Sequence, residues 1–141
     1  MPVPLTGSCL CGAIRYTIGV PVTELRACHC LSCQKASGAG GSVNAVVPSA
    51  AFTLTQGAPK RYEAKADSGR ILYRFFCADC GSPIYSQRQT TPETVVVRAG
   101  TLDDPAPMKI TTHIWTKRAR PWSHIDPAVQ QHPGQPDAPA R

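Results

Sequence analysis

Hydrophobic and polar positions alternate along this chain in short bursts. In AIRYTI, residues 13–18, Ile14, Tyr16 and Ile18 face one way and Arg15 and Thr17 the other, the period-two pattern of a strand with one buried face. The segments SVNAVV (42–47), FTLTQG (52–57), RYEA (61–64), RILYRFFC (70–77), TVVVRAGTL (94–102) and KITTHIWT (109–116) are also short. They are rich in Val, Ile, Thr, Tyr or Phe and are separated by Gly, Pro or Asp. Only LSCQKAS (31–37) and a single turn at PSAAF (48–52) favour helix, with Pro48 suited to a first helical position. The pattern predicts an all-β fold with minor short helices over residues 1–125. From Asp126 onward periodicity gives way to Pro, Gln and Ala, which predicts a Pro-rich, disordered tail over 126–141.

Composition adds a domain count. With 141 residues, 42% hydrophobic and 17% charged, the chain suits one globular domain with its own core. No run approaches the about 20 apolar residues that span a bilayer, and the first residues lack the basic start and apolar stretch of a secretory signal. The expectation is a cytoplasmic protein without a membrane span. A net charge of +6 admits attraction to nucleic acid or to small anions. The basic residues are dispersed, however, with small groups only at PKRYEAK (59–65) and TKRARP (116–121), and with 6% aromatic residues no stacking platform interleaves them. This argues against nucleic acid as the partner.

The seven cysteines carry the chemistry: Cys9 and Cys11, then Cys28, Cys30 and Cys33, then Cys77 and Cys80. An odd number leaves one outside any disulfide scheme, and in a reducing compartment clustered cysteines are metal ligands or reactive thiols. On a strand, side chains two apart share a face, so Cys9 with Cys11 and Cys28 with Cys30 are expected to chelate from strands. CADCG reads instead as a tight zinc knuckle, with Gly81 supplying the permissive backbone. Thiolates in tetrahedral array favour zinc, four closing a structural site and three leaving a catalytic position open. Seven then divides into Cys9, Cys11, Cys77 and Cys80 on one ion and Cys28, Cys30 and Cys33 on another. A ribbon built from Cys30, Cys33, Cys77 and Cys80 has equally regular spacing and strands the other three; spacing alone leaves both divisions open.

The motifs GSCLCGAIRY (7–16), CHCLSCQKASG (28–38), FFCADCGSPIY (75–85), VVVRAGTLDD (95–104) and HIWTKRARPW (113–122) occur in that order. Over about residues 5–125 the chain resembles the glutathione-dependent formaldehyde-activating enzyme family, which includes the domain of centromere protein V. The resemblance implies a zinc-bound β fold of the folded-tent kind with two Zn²⁺ per chain. It implies that Cys9, Cys11, Cys77 and Cys80 hold a structural zinc, and that Cys28, Cys30 and Cys33 hold a catalytic one. It implies a carbon–sulfur lyase that handles a small thiol–aldehyde adduct such as S-hydroxymethylglutathione, with a small thiol such as glutathione as substrate.

Three thiolates around Zn²⁺ leave one position for a substrate thiol or carbonyl oxygen, and a metal-bound thiol is deprotonated at neutral pH and so able to attack an aldehyde. Glutathione carries two carboxylates, so a basic rim is expected; Lys35, tied to the triplet by sequence, is the candidate, while Arg74, Lys117 and Arg118 read as solvated surface charges. His29 points away from the ligands beside it on the expected strand and is not taken as a ligand. His113 reads as a hydrogen-bonded structural histidine rather than a proton donor or fourth ligand. Trp115 and Trp122 read as core or tail-clamping aromatics. SGAGGS (37–42) precedes a strand, not a helix, so it is not a phosphate loop; its glycines let the backbone pass close to the zinc site or to a ligand there. Two non-catalytic readings stand beside the enzyme: a redox-sensing zinc module and a nucleic-acid- or protein-binding module.

Overall fold

A computed structural model describes residues 3–65 and 69–136. Its strands are β1 (Leu5–Ser8), β2 (Arg15–Ile18), β3 (Glu24–Cys28), β4 (Ser42–Pro48), β5 (Phe52–Gln56), β6 (Lys60–Lys65), β7 (Ile71–Phe76), β8 (Pro83–Arg88), β9 (Thr94–Arg98), β10 (Lys109–Ile114) and β11 (Gln130–Gln131), with one helix, α1 (Leu31–Ser37), between β3 and β4. The expected all-β class is the fold observed. The strands form two sheets, β1-β2-β5 and β11-β10-β3-β4-β9-β8-β7-β6. In the larger sheet β10 runs parallel to β3 and β11, and the other pairs are antiparallel.

The alternation read in the sequence decides which face is buried. Tyr16 and Ile18 of the small sheet meet Ala45, Val47, Val95 and Val97 of the large one in a single apolar cluster. Tyr16 lies opposite Gly7. A Cβ at Gly7 would run into the Tyr16 ring, so the glycine lets ring and backbone close. Two smaller clusters surround the cysteines: Ile14 and Ile84 with Cys9 and Cys77, and Ile114 with Cys28 and Cys33.

Several boundaries differ from the sequence pattern. The helical turn expected at 48–52 covers Ser49–Ala51, after Pro48 has ended β4. The strand expected over 94–102 stops at Arg98, and Ala99–Thr101 turn. β1, β3 and β8 have no counterpart among the predicted segments, apart from the strand expected at Cys28–Cys30, which ends at Cys28; LTGS, ELRAC and PIYSQR carry too few apolar residues to show a period. Within the segment 126–141 set apart as a tail, Gln130 and Gln131 lie parallel to Thr112 and His113 of β10. The Trp115 indole N–H donates to Gln135 Oε1 at 3.0 Å. Backbone pairing at a sheet edge needs no apolar periodicity, so the pattern does not signal it. Residues 137–141 lie outside the described residues. Among the described residues, no helix is long and apolar enough to cross a membrane.

Candidate metal centres

The chain brings its cysteines together in two groups, Cys9, Cys11, Cys77 and Cys80, and Cys28, Cys30 and Cys33, with the sulfurs of each group within 4.8 Å of one another. The ribbon arrangement is not the one adopted. The first group joins two turns. Gly81 N–H bonds the Cys77 carbonyl at 2.8 Å with Gly81 at φ +79°, the left-handed knuckle expected from CADCG. Cys9 and Cys11 do not chelate from a strand as expected: β1 ends at Ser8, and Gly12 (φ +80°) bonds back to the Cys9 carbonyl at 3.2 Å. CLCG is thus a second tight turn, its glycine admitting the reversal a strand would forbid.

Neighbouring sulfurs in this group lie 3.7 Å apart (Cys9, Cys11) and 3.8 Å apart (Cys11, Cys77). A tetrahedron of sulfurs about 2.3 Å from a central zinc has edges of about 3.8 Å. The donor set and the spacing therefore fit zinc. Ile14 N–H donates to Cys9 Sγ at 3.3 Å, and the Ser82 hydroxyl lies 3.2 Å from Cys80 Sγ. Ser82 holds the Cys80 thiol down to about 5. The Ala13 backbone lowers the Cys11 thiol, but its contacts with Cys9, Cys80 and Cys77 and its desolvation outweigh this and push it up to about 12. Sulfurs this close share protons unequally, a conflict that a cation in their midst removes.

The second group sits where β3 passes into α1. Cys28 is the last residue of β3; Cys30 is the N-cap of α1, its Sγ accepting from the Cys33 N–H at 3.3 Å; Cys33 is buried in the first turn. Cys30 therefore reaches its neighbours through a helix cap rather than a strand. The bonds from Cys28 and Cys30 lower the Cys33 thiol strongly, with help from Ser42 and Arg98, while contacts with Cys30 and then Cys33, together with burial, raise Cys28. Gly41 lies against the turn, where a Cβ would strike the Cys28 carbonyl oxygen, so this glycine does let the backbone pass close to the cysteines.

The two histidines lie behind this group. His29 Nε2 and His113 Nδ1 are 2.9 Å apart in a buried, stacked pair, and burial lowers the pKa of both. Neither histidine joins the cysteine group, and β3 ends before His29, so the strand alternation expected at that residue does not apply. Gln34 Nε2 donates to the His29 and Arg118 carbonyls at 2.8 and 2.9 Å and fastens α1 from below.

Of the triplet, Cys33 lines a cavity of about 280 Å³, whose walls include Gly41, Ser42, Arg74, Pro83 and Arg98. Lys35, the basic residue expected there, is exposed on α1 and lines no part of it. Arg74, read as a surface charge, does line it. Lys117 instead lies 5.1 Å over the Trp115 ring. Trp122 is 73% exposed and does not join the core. Arg98 was not singled out by the sequence reading. A lone cation closing the apolar run TVVVR was the available signal, since a buried charge requires a partner or a purpose.

The sequence profile described as "Glutathione-dependent formaldehyde-activating enzyme" matches residues 4–118. A protein of Halomonas elongata, provisionally named as such an enzyme, is 29% identical over 94% of this chain and 89% of its own length. A Podospora anserina protein with the same provisional name is 32% identical over 57% of this chain; the match spans only 38% of that longer protein. A crystal structure of a Rhodobacter sphaeroides protein shares the fold, with a TM-score of 0.58 and 22% identity over 72% of this chain and 91% of that one. With the motifs, the two cysteine groups and the profile in register along most of its length, the chain belongs to the glutathione-dependent formaldehyde-activating enzyme family.

Proposed function

We propose that the protein is a zinc-dependent carbon–sulfur lyase that makes and breaks the adduct of a small thiol and an aldehyde, with S-hydroxymethylglutathione as the reference substrate. Cys9, Cys11, Cys77 and Cys80 hold a structural zinc, and Cys28, Cys30 and Cys33 a catalytic one. The observation that carries this reading is the inequality of the two groups: four sulfurs gather in one, enough to complete a tetrahedron, whereas the other has three, of which Cys33 lines a cavity.

When bound, zinc supplies a Lewis acid with one position free, which lowers a thiol's pKa and polarises a carbonyl. The chain's own residues do the rest. The cap at Cys30 and the close approach of Gly41 to Cys28 would position the three sulfurs that hold the ion, with Cys33 beside the cavity that would admit substrate. In the forward step the substrate thiolate attacks the aldehyde carbon, an S–C bond forms, and the carbonyl electron pair takes up the proton the thiol lost. The reverse step breaks that bond and returns the proton to sulfur. Membership of the family and the names of its relatives support this reaction.

The test is the exchange of glutathione and formaldehyde with their adduct, followed by NMR, in the presence of the full chain loaded with zinc. We expect acceleration over the uncatalysed exchange and its loss in Cys30→Ser with the fold retained. Two bound zincs and no acceleration would sink the reading.

A further inference from the structure

The pairing register places the cysteine triplet and both cavity arginines on one face of the large sheet. Cys28 lies opposite Ser42, and Asn44, two residues on, lies opposite Arg98. Val96, two residues back on β9, lies opposite Ser86, and Ser86 lies opposite Arg74. Residues opposite one another, or two apart on one strand, share a face. Cys28, Ser42, Asn44, Arg98, Ser86 and Arg74 therefore form one row across β3, β4, β9, β8 and β7, while Ala45, Val47, Val95 and Val97 turn the other way into the core.

This row carries two cations, and the hydrogen-bond partners of Arg98 among the described residues are neutral. Arg98 Nη1 donates to Asn44 Oδ1 at 2.6 Å and Arg98 Nη2 lies 3.5 Å from Ser86 Oγ, both neutral acceptors. Burial is the main cause that lowers the pKa of Arg98; the sulfurs of Cys33, Cys28 and Cys30 favour its cation, and Arg74 opposes it. Arg74 and Arg98 line the cavity at Cys33 and also a second one of about 200 Å³ walled by Tyr62, Phe75, Phe76 and Tyr85, so both residues are shared by the two cavities. Three thiolates around a divalent ion carry one net negative charge, which two guanidiniums outweigh. Two half-buried like charges on one cavity wall repel each other, and an anion bound between them would relieve this.

We propose that Arg74 and Arg98 form a carboxylate subsite that selects thiols bearing a carboxylate near the sulfur. The inference rests on the reading of the triplet as a thiol site. A guanidinium presents a planar fork that matches a carboxylate in two parallel bonds, and Asn44 fixes the orientation of the Arg98 fork. The sulfur then reaches the open side of Cys28, Cys30 and Cys33, and the remainder of a larger substrate extends along the aromatic cavity.

The test is calorimetric titration of the zinc-loaded full chain with 3-mercaptopropionate, 2-mercaptoethanol and propionate. Mercaptopropionate should bind about ten-fold to a hundred-fold more tightly than mercaptoethanol, the range expected for hydrogen bonds to a charged group. That ratio should collapse towards one in Arg74→Gln. Arg98→Lys, which keeps the charge and loses the fork, should lower it in part. Equal affinities for the two thiols in the unaltered protein would overturn the subsite. Propionate binding that Arg74→Gln abolishes, with no added gain from a thiol, would uphold the subsite and refute the thiol site beneath it. No binding of any of the three overturns both.

Discussion

Gly41 shows how little room the second cysteine group has. Its missing side chain is the space occupied by the Cys28 carbonyl, with the His29 Cα 3.3 Å away from where a Cβ would sit. Gly41→Ala must displace either the entry to β4 or the turn that aims Cys28. The expected outcome is a stability loss of about 1–3 kcal/mol, as for other overpacked sites, and a fall from two bound zincs to one by native mass spectrometry. A variant that keeps both ions and its stability would show that the close approach has no bearing on the metal group. The run SGAGGS marks this place in the sequence, and its reading as a close backbone passage holds at Gly41. The partner it passes is visible only once β4 pairs with β3.

At the scale of elements, the two metal groups are joined to the fold in different ways. Cys77 is nearly inaccessible and sits in the knuckle between β7 and β8, and its group also ties down the turn after β1, so one ion would clamp segments from both sheets. Cys77→Ser should unfold the chain or leave it grossly destabilised, since a structural zinc contributes about 10 kcal/mol or more in small modules. Cys30→Ser removes a ligand from one local turn and can still cap α1 through its hydroxyl; circular dichroism should show a retained fold and metal analysis one zinc. Unfolding of both variants would make the triplet structural. The knuckle was legible because Gly81, directly after C-x-x-C, supplies the left-handed residue that a tight reversal needs. The expected strand chelation by Cys9 and Cys11 was not, because C-x-C suits a strand face and a tight turn alike, and Gly12 decides for the turn.

For the molecule as a whole, stability depends on closure of the small sheet over the large one, and Tyr16 stands at that contact. It is 1% exposed, and its hydroxyl lies 2.7 Å from Thr101 Oγ1. Burial is the main cause that pushes its phenol from an ordinary value of 10.0 up to about 12. The neutral form is therefore favoured by folding: this contribution is complete below pH 10 and is lost as pH rises towards 12. Tyr16→Phe should cost about 1 kcal/mol at neutral pH and flatten the alkaline loss of stability, measured by urea unfolding from pH 7 to 11. An unchanged alkaline slope would place the sensitivity elsewhere.

The sequence by itself determined the strand-rich class, the apolar faces at Ile14, Tyr16 and Ile18, and a set of cysteines too clustered to be incidental, because these follow from local period and side-chain chemistry. Only the tertiary structure decided which cysteines meet, since residues 9 and 77 become neighbours through sheet closure and no spacing rule encodes that distance. It alone brought Arg74 and Arg98 beside Cys33, because register between strands far apart in sequence sets which residues share a face. Lys35, five residues past His29's neighbour Cys30 and adjacent in sequence to the triplet, was left on the outer side of α1 by the same geometry. Proximity along the chain places a residue near a site; the direction of its side chain depends on how helix and sheet pack.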